Sequence, residues 1–185
     1  LENKTMFMNW VRQGRLELPD QETETKMFEE TIEAMEKHGR HQYEISNFAL
    51  PGFQSKHNSS YWHDIPYIGI GASAHSYDIK TRHWNISDIT KYISGIESCT
   101  LPFEKEFIDK NTKYDDLITT AMRTREGIDT EKLKADFGNG LYTYFMKETA
   151  KHINNGTLQN VNGRVSLTRK GLFISDDIMS DLMHV

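Results

Sequence analysis

The feature that most constrains the fold lies near the C-terminus, where two short alternating segments flank an Asn-Gly pair. The segments Leu158–Val161 and Arg164–Leu167 are typical of strands, and Asn162-Gly163 stands between them. A two-residue type I′ turn needs positive φ at both central positions, which Asn and Gly tolerate best. The sequence therefore predicts an antiparallel hairpin that any fold of this region must accommodate.

Helical periodicity surrounds this hairpin on both sides. Residues Lys110–Arg125 carry apolar residues at helical spacing and stop at Gly127, and Thr130 is expected to cap the next helix. Gly138–Asn139 should break that helix before LYTYFMKETAKHINN. Thr168 then begins a last helix. Its candidate core positions are Leu172, Ile174, Ile178 and Leu182. This order of elements resembles a winged-helix arrangement.

The N-terminal part combines a helix with strand-like segments. Asp20 is a good N-cap for QETETKMFEETIEAMEKHG, which places Phe28, Ile32 and Met35 on one apolar face. HQYEISNFA then predicts a strand at Gln42–Ile45, and PYIGIGA predicts a second strand. A helix followed directly by a strand is an α/β unit, so this part is expected to belong to a layered or barrel structure.

The character of the sequence changes near residue 88. DITKYISGI predicts a short helix capped by Ser87 or Asp88. We therefore expect two domains, residues 1–87 built from α/β units and residues 88–185 that are mainly helical with the hairpin. The predicted fold class is α/β plus α+β.

Composition and charge exclude several classes of function. A net charge of −5 disfavours a general nucleic-acid binder, which usually has a basic face. No apolar run approaches the roughly 18–20 residues that cross a bilayer, and no signal peptide is evident, so a cytoplasmic location is expected. The lone Cys99 cannot by itself hold zinc or an iron–sulfur centre, and is interpreted as a semi-buried residue near a helix end. Because the sequence opens at Leu1 without an initiator Met, we expect a piece of a longer protein.

The segment HNSSYWHDIPYIGIGASAHSYD, residues 57–78, concentrates the side chains that could carry chemistry. Imidazole is a common iron or zinc ligand, and the rings of Tyr61 and Trp62 after His57 could cover a flat ligand such as a porphyrin. The alternative is a histidine hydrogen-bonded in a polar loop. The glycines of YIGIGAS allow close approach of a ligand, or else a tightly packed strand. The spacing of His57, His63 and His75 matches no common metal motif.

Among the acidic residues, one stands out. Glu44 lies inside a predicted strand, where burying a charge is costly unless it is paired. It could face a barrel interior or the solvent, and the sequence leaves both open. The glutamates of the first helix are interpreted as its solvated face. The sequence shows neither a recognisable nucleophile setting nor a phosphate loop.

Several motifs, taken in order, resemble the C-terminal half of the HemW-type proteins. These are relatives of the oxygen-independent coproporphyrinogen III oxidases in the radical S-adenosylmethionine (SAM) superfamily. The motifs are YEISNFALPGFQSKHNSSYW, YIGIGASAHSY, MRTREGID and SLTRKGLFISDDIM. The resemblance implies the last elements of a partial (β/α) barrel at 1–87, followed by a helical, winged-helix-like domain at 88–185. It also implies that the parent protein binds a [4Fe-4S] cluster and SAM, although the CxxxCxxC cluster loop is absent from this chain.

The resemblance also implies roles for individual residues. The family's haem-associated HNxxYW motif corresponds to His57, Asn58, Tyr61 and Trp62. His57 would be the iron ligand or part of its surroundings. The GxGxSA stretch, expected near the cofactor at the end of a barrel strand, corresponds to Gly69, Gly71, Ser73 and Ala74. The next residue, His75, matches a position that contacts SAM in the oxidases, where an apolar residue stands.

The function implied is that of the C-terminal fragment of a haem chaperone, which binds haem and transfers it to acceptor haemoproteins. The fragment alone is expected to perform no radical chemistry, to bind no nucleic acid, and to be able to pair as a homodimer through strand edges. One alternative is an oxygen-independent coproporphyrinogen III oxidase, which decarboxylates two propionates. Another is a winged-helix nucleic-acid module, which the acidic last helix disfavours.

Overall fold

The computed structural model describes residues 3–184; Leu1, Glu2 and Val185, at the outer ends of the two predicted domains, lie outside the described residues. The fold is a mixed α/β arrangement. Its helices are α1 (Met6–Arg12), α2 (Gln21–Lys37), α3 (Lys56–Trp62), α4 (Ile89–Glu97), α5 (Lys110–Ala121), α6 (Thr130–Asn154), α7 (Arg169–Leu172) and α8 (Ser175–Leu182). Its strands are β1 (His41–Glu44), β2 (Asn47–Ala49), β3 (His75–Tyr77), β4 (Thr81–Asn85), β5 (Phe103–Phe107), β6 (Ile128–Asp129), β7 (Leu158–Val161) and β8 (Arg164–Leu167).

The strands form three small sheets. β1 pairs with β2, the second sheet has the order β3-β4-β5, and the third has the order β6-β8-β7. All of these pairs are antiparallel, and the strands of residues 3–184 form no closed barrel. The sheets are too small to enclose a core by themselves, so the helices must supply most of the buried surface.

The C-terminal hairpin is confirmed residue for residue. Leu158 pairs with Leu167 and Val161 with Arg164, and both turn residues have positive φ, 53° at Asn162 and 79° at Gly163. These are the angles that a type I′ turn requires. The short strand β6 adds to the β8 side of the hairpin, which links it to the start of α6.

Two details of the helices around the hairpin differ from prediction. The N-cap of α6 is Asp129, whose carboxylate accepts from the backbone N–H groups of Glu131 and Lys132, so Thr130 is the first helical residue instead. The Asp129 carboxylate bonds to these donors from the position just before the helix, so the cap lies one residue earlier than predicted. The predicted break is present, because Gly138 departs from helical geometry inside α6.

The single last helix predicted after Thr168 is wrong, since two helices are formed. Thr168 caps α7, but Gly171 lies so close to the β7 side of the hairpin that an added Cβ would be 2.0 Å from the Thr157 carbonyl oxygen. The chain then turns at Ile174, which is 39% exposed, before α8 packs on α5 and α6. Of the predicted core positions, Ile178 and Leu182 are buried.

The N-terminal helix prediction is confirmed. Asp20 caps α2 through a 2.8 Å bond from the Thr23 N–H, and Ile32 is buried, while Met35 is 36% exposed. The strand predicted at Gln42–Ile45 is present as β1, one residue earlier. In the following region, Asp88 caps α4 as expected.

The strand predicted for PYIGIGA is wrong. Tyr67 forms only an isolated bridge with Tyr77, and the chain from 68 to 74 is a loop that leads into β3. Gly71 and Ser73 have φ values of 115° and 60°, which turn the backbone away from an extended course. Cys99 also differs from prediction: it is exposed, in a left-handed conformation directly after α4.

The buried core lies almost entirely in the C-terminal part. Among the described residues, every buried apolar side chain except Ile32 falls between Tyr114 and Leu182. The core joins α5, α6, α8 and the hairpin, and its largest fully buried side chains include Tyr114 and Phe145. Within residues 3–184, none of the helices is both long and apolar enough to span a bilayer.

Candidate functional site

The HNSSYW motif lies on a helix, and not in the polar loop that one interpretation of His57 assumed. Ser55 caps α3, because its hydroxyl oxygen accepts from the Asn58 N–H at 3.2 Å. Residues four apart on a helix lie on one face, so the cap and the spacing together bring His57 and Tyr61 side by side. The helix has only seven residues, which is too few for its periodicity to be recognised in the sequence.

His57 and Tyr61 form a hydrogen-bonded pair. The Tyr61 hydroxyl lies 3.1 Å from His57 Nε2, and which atom donates depends on the tautomer of the imidazole. The two rings meet edge to face, with centroids 5.1 Å apart. The alternative of a hydrogen-bonded histidine is thus present in the structure, with the partner inside the predicted haem motif.

A cleft of about 370 Å³ opens beside α3, walled by β3, β4, α5 and the start of α6. Tyr61 and Trp62 line it, whereas the His57 and Asn58 side chains do not. Its aromatic wall consists of Tyr61, Trp62, Tyr67, Tyr77 and Phe137. The size lies in the range of small-molecule sites, which are also largely aromatic and apolar with a few placed polar groups.

Three rings of the aromatic wall, those of Tyr61, Tyr67 and Tyr77, contact one another in sequence. Tyr61 packs edge to face on Tyr67 with centroids 4.8 Å apart, and Tyr67 lies 6.0 Å from Tyr77. On its other side, Trp62 packs against Tyr43 of β1 at 5.8 Å. These contacts fix the orientation of α3 relative to the two neighbouring sheets.

Asp64 ties the end of α3 to the other walls of the cleft. It adopts a left-handed conformation with φ of 58°, accepts a hydrogen bond from the Tyr77 hydroxyl, and lies 3.0 Å from Lys113 Nζ on α5. Burial raises the pKa of Tyr77, and its bond to Asp64 raises that pKa further. The Tyr77 hydroxyl therefore stays protonated at neutral pH and acts as a donor.

A second polar group crosses the floor of the cleft. Arg82 of β4 donates to Asp116 of α5 at 2.6 Å and lies 3.4 Å from Glu106 of β5. Burial raises the pKa of Asp116, and the Arg82 charge opposes that rise without cancelling it. Three cations of the cleft, Arg82, Lys113 and Arg164, are thus already paired with carboxylates.

Formal charge in the cleft does not favour an anion. The basic side chains that line it are Arg82, Lys113, Lys132 and Arg164. The carboxylates that line it are Asp64, Asp116, Glu126, Asp129 and Asp136. With four cations against five carboxylates, the recognition that the cleft offers comes mainly from its aromatic surface.

Glu44 is buried and paired, so neither alternative left open by the sequence describes it fully. The side chain is 2% exposed, and its Oε1 accepts from Arg123 Nε at 2.9 Å and Nη2 at 2.8 Å. Its Oε2 accepts from Asn47 Nδ2 at 2.6 Å and from the Ser46 N–H. Burial alone would raise the pKa of Glu44, but these hydrogen bonds and the Arg123 charge hold it below its usual value. The pair joins the YEISNF and MRTREGID motifs.

The GxGxSA loop is held by two buried side chains. Asn85 Nδ2 donates to the Gly71 carbonyl at 2.9 Å, and the Gly69 N–H donates to Ser76 Oγ at 2.9 Å. A Cβ at Gly69 would lie 2.0 Å from the His75 carbonyl oxygen, so this position requires glycine. The loop is therefore tightly packed, as one reading of the sequence expected, although it is not a strand.

The remaining residues of that stretch follow the loop into β3. The Ser73 N–H donates to the Ile86 carbonyl, and the Ala74 carbonyl accepts from the Asn85 N–H. His75 is exposed and stacks on Trp84 with centroids 5.6 Å apart. None of Gly69, Gly71, Ser73, Ala74 or His75 lines the cleft, so the two predicted groups of site residues occupy separate places.

His63 has a different neighbour from the other two histidines. Its Nε2 lies 3.8 Å from Glu126 in the loop before β6, at the edge of the cleft. Within residues 3–184, no group of three or more His, Cys, Asp or Glu side chains is arranged to hold a metal ion.

Sequence reasoning missed most of the polar groups of the cleft. Asp64 follows α3, Arg82 lies on β4, and Lys113 and Asp116 lie on α5, so the four residues come from three separate segments that no local pattern connects. A signal existed only for Glu44, as a charge in a strand. The basic residue of MRTREGID that pairs with it could have been proposed as its partner.

The sequence is similar to named proteins over nearly its whole length. A heme chaperone HemW of Bacillus subtilis is 34% identical over 182 residues, which cover 96% of this chain and 47% of that protein. A heme chaperone HemW of Lactococcus lactis is 31% identical over 187 residues, covering 99% of this chain and 48% of that protein. The chain thus spans about half the length of the curated relatives it matches.

Residues 108–174 match the HemN C-terminal domain family. A solved structure, that of the coproporphyrinogen III oxidase HemN from Escherichia coli, a radical SAM enzyme, superposes with a TM-score of 0.70. The superposition covers 94% of this chain and 44% of that chain at 15% identity. At this identity the likeness establishes a shared fold and does not extend to activity.

Proposed function

We propose that this chain is the C-terminal portion of a haem chaperone, because it is similar to the HemW haem chaperones over nearly its whole length and its residues 108–174 match the HemN C-terminal domain family. In this role the parent protein binds haem and transfers it to acceptor haemoproteins in the cytoplasm. The observation that carries the proposal is the HNSSYW motif on α3, whose aromatic residues open onto the cleft.

The proposed domain arrangement follows the same relationship. Residues 1–87 supply the last elements of a partial (β/α) barrel, and residues 88–185 form the helical, winged-helix-like domain. The second assignment is supported by the hairpin β7-β8 between α6 and α7, which would be the wing. The barrel assignment is supported by the exposed apolar surface of the 67–77 segment, because Ile68 and Ile70 are 85% and 87% exposed.

Within this arrangement, the haem site consists of His57, Asn58, Tyr61 and Trp62. The aromatic wall suits the flat face of a porphyrin, and the lack of excess positive charge supports a placement of the ring, and not of its propionates, in the cleft. The iron–sulfur cluster and SAM belong to the rest of the longer protein. Gly69, Gly71, Ser73, Ala74 and His75 would stand near that cofactor, on the separate loop before β3.

A titration of the chain with ferric haem tests the proposal. We expect saturable binding with a shift of the Soret band, and a weaker, altered response in His57→Ala. His38→Ala is the matched control, because His38 is an exposed histidine at the end of α2, far along the chain from the motif. Equal spectra for all three proteins would remove His57 from the site, and an absence of saturable binding would reject haem binding by this chain.

The second candidate is the oxygen-independent coproporphyrinogen III oxidase to which the sequence motifs are also related; HemN, whose fold this chain shares, is a coproporphyrinogen III oxidase. Here the same cleft would accept a tetrapyrrole substrate, and its ring would again meet the aromatic wall. Anaerobic assay of the full-length protein, with reconstituted cluster and SAM, separates the two. Decarboxylation of coproporphyrinogen III supports the oxidase, whereas haem transfer to an apo-haemoprotein without decarboxylation supports the chaperone.

A further inference from the structure

The three-stranded sheet β3-β4-β5 has an open edge at β5. In the part of the chain that the structure describes, residues 3–184, β5 pairs with β4 and with no other strand. All of its residues except Glu106 are exposed. Such an edge presents unpaired backbone donors and acceptors, and proteins usually cover it, shorten it or place charges along it. Because β5 is uncovered and of ordinary length, its charges decide what can pair with it.

Alternate residues of β5 direct their backbone groups to the open edge. At the two ends of the β4–β5 ladder, the Ile86 N–H donates to the Pro102 carbonyl and the Ile108 N–H donates to the Lys80 carbonyl. In an antiparallel pair, residues that exchange such bonds alternate along each strand with residues that do not. The residues of β5 whose N–H and C=O groups point to the open edge are therefore Phe103, Lys105 and Phe107.

The two faces of β5 carry different chemistry. On one face, Phe103 and Phe107 are 56% and 77% exposed, and Lys105 Nζ lies 5.0 Å from the centre of the Phe107 ring. On the opposite face are Glu104 and Glu106, and the Glu104 side chain has neither a hydrogen-bond nor an ion-pair partner within residues 3–184. The edge thus combines an acidic face with an aromatic face that has one cation at its centre.

A second copy of β5 is a poor occupant of this edge. In the centred antiparallel register, Lys105 meets its own copy and Glu104 meets Glu106, so like charges stand opposite one another. A shift by one pair in either direction places Glu104 or Glu106 opposite itself. Like charges directly opposite across two strands are destabilising. The charges of β5 therefore favour an occupant of complementary sequence.

We propose that β5 is a docking edge for an extended segment of a partner protein in which basic residues alternate with apolar ones. The segment adds to the sheet as a fourth, antiparallel strand. Its Lys or Arg side chains lie opposite Glu104 and Glu106, an acidic side chain lies opposite Lys105, and apolar side chains pack on the two phenylalanines. Strand addition takes its affinity from main-chain hydrogen bonds and its specificity from the alternating side chains. This inference goes beyond the proposed haem-binding function and does not depend on it.

The docking edge and the candidate cleft share one sheet. Arg82 of β4 lines the cleft and lies 3.4 Å from Glu106 of β5. Neighbouring strands in a sheet are about 5 Å apart, so a strand added to β5 lies roughly 10 Å from β4. A docked partner is thereby held beside the cleft.

Nuclear magnetic resonance of the labelled chain tests the proposal, with a synthetic peptide that has FKEKF at its centre as the probe. We expect hydrogen exchange to slow at the amides of Phe103, Lys105 and Phe107 on binding, and to stay unchanged at Glu104 and Glu106, whose amides already face β4. Two peptides are matched controls. KFEFK has the same composition with the charges misplaced, and FEKEF is the sequence of β5 itself; neither should bind.

Two variants of the chain separate the backbone contribution from the charge contribution. Lys105→Pro removes the central outward N–H while leaving the bonds to β4, a position where an edge strand tolerates proline, and should abolish binding of FKEKF. Glu104→Lys should weaken it about 2- to 20-fold, because an attractive cross-strand pair becomes a repulsive one. Glu104→Lys keeps every backbone bond, so it tests the proposal even if Lys105→Pro disturbs the sheet.

Several results would overturn the proposal. Absence of any binding of FKEKF to the wild-type chain would reject the docking edge. Equal binding of KFEFK would show that the attraction is one of net charge alone. Protection that does not alternate along residues 103–107, or affinity that is unchanged in Glu104→Lys, would exclude strand addition in the register described. None of these results bears on haem binding, which the haem titration tests separately.

Discussion

The two parts of the molecule on either side of residue 108 are stabilised in different ways. From Tyr114 to Leu182, the helices α5, α6 and α8 and the hairpin share one apolar core, with Tyr114, Phe145 and Leu182 fully buried. In the described residues before 108, Ile32 is the one buried apolar side chain. Caps, such as Asp20 on α2 and Ser55 on α3, and clamps such as Asn85 hold that part instead.

The difference shows that the candidate site is built across a junction. The helix α3 belongs to the first part, and the α5 and α6 walls of the cleft belong to the second. The first part has little core of its own to fix the position of α3. The position of α3 therefore depends on contacts that cross the junction, such as Glu44 with Arg123 and Asp64 with Lys113.

The difference in packing between the two parts is tested most directly by a substitution in the core. Phe145→Ala should lower the free energy of unfolding by about 3–5 kcal/mol, because it removes a fully buried aromatic ring and leaves a cavity. Ile93→Ala on α4, where the side chain is 51% exposed, should change it by less than about 0.5 kcal/mol. Urea unfolding followed by circular dichroism measures both, and comparable losses would show that the two parts are equally well packed.

A smaller effect is expected at the buried contact across the junction. Glu44→Gln should cost about 1.5–3 kcal/mol at pH 7, the range for charged hydrogen bonds, since Arg123 loses its partner. The pKa of Glu44 is lowered in the folded state, so its contribution is present above the unfolded value of about 4.3 and is lost as pH falls. Wild-type and variant stabilities should therefore converge as the pH falls below the unfolded value and through the lowered pKa of Glu44 in the folded state. If the difference in unfolding free energy between wild type and variant stays constant from pH 7 to pH 3, the assignment is contradicted.

The smallest effect should come from the exposed contact across the same junction. Lys113→Gln should change stability by at most about 1 kcal/mol, because the Lys113–Asp64 pair is solvent-accessible and surface ion pairs are worth little. Raising the salt concentration should narrow even that difference in urea unfolding. A loss as large as that of Glu44→Gln would mean that Asp64, through Tyr77, organises the junction more strongly than the buried pair.

The sequence predicted elements wherever a local rule was sufficient. The Asn162-Gly163 turn, the Asp20 cap and the Asp88 cap were all predicted correctly, because neighbouring residues determine them. The same rules failed at Ile174 and in PYIGIGA, where packing against distant segments decides the backbone. The close approach of Gly171 to the hairpin left no trace in the local pattern, whereas the glycines of YIGIGAS indicated tight packing but not a loop.

The site was predictable only in its composition. The HNSSYW motif identified the aromatic residues, and α3 then placed Tyr61 and Trp62 at the cleft. The partners on β4 and α5 could not be anticipated, because pairing Arg82 with Asp116 requires the three-dimensional arrangement of segments 34 positions apart. The roles of His57 and of the 69–75 loop stay predictions until they are measured.

The contact between Glu44 and Arg123 also has a consequence for the order in which the chain folds. It joins residues 79 positions apart, whereas the β7-β8 hairpin closes over a two-residue turn. Because the entropy cost of closing a loop grows with its length and long-range contacts slow folding, we expect the hairpin and its helices to assemble first. The junction, and with it the cleft, would then be the last part of the chain to form.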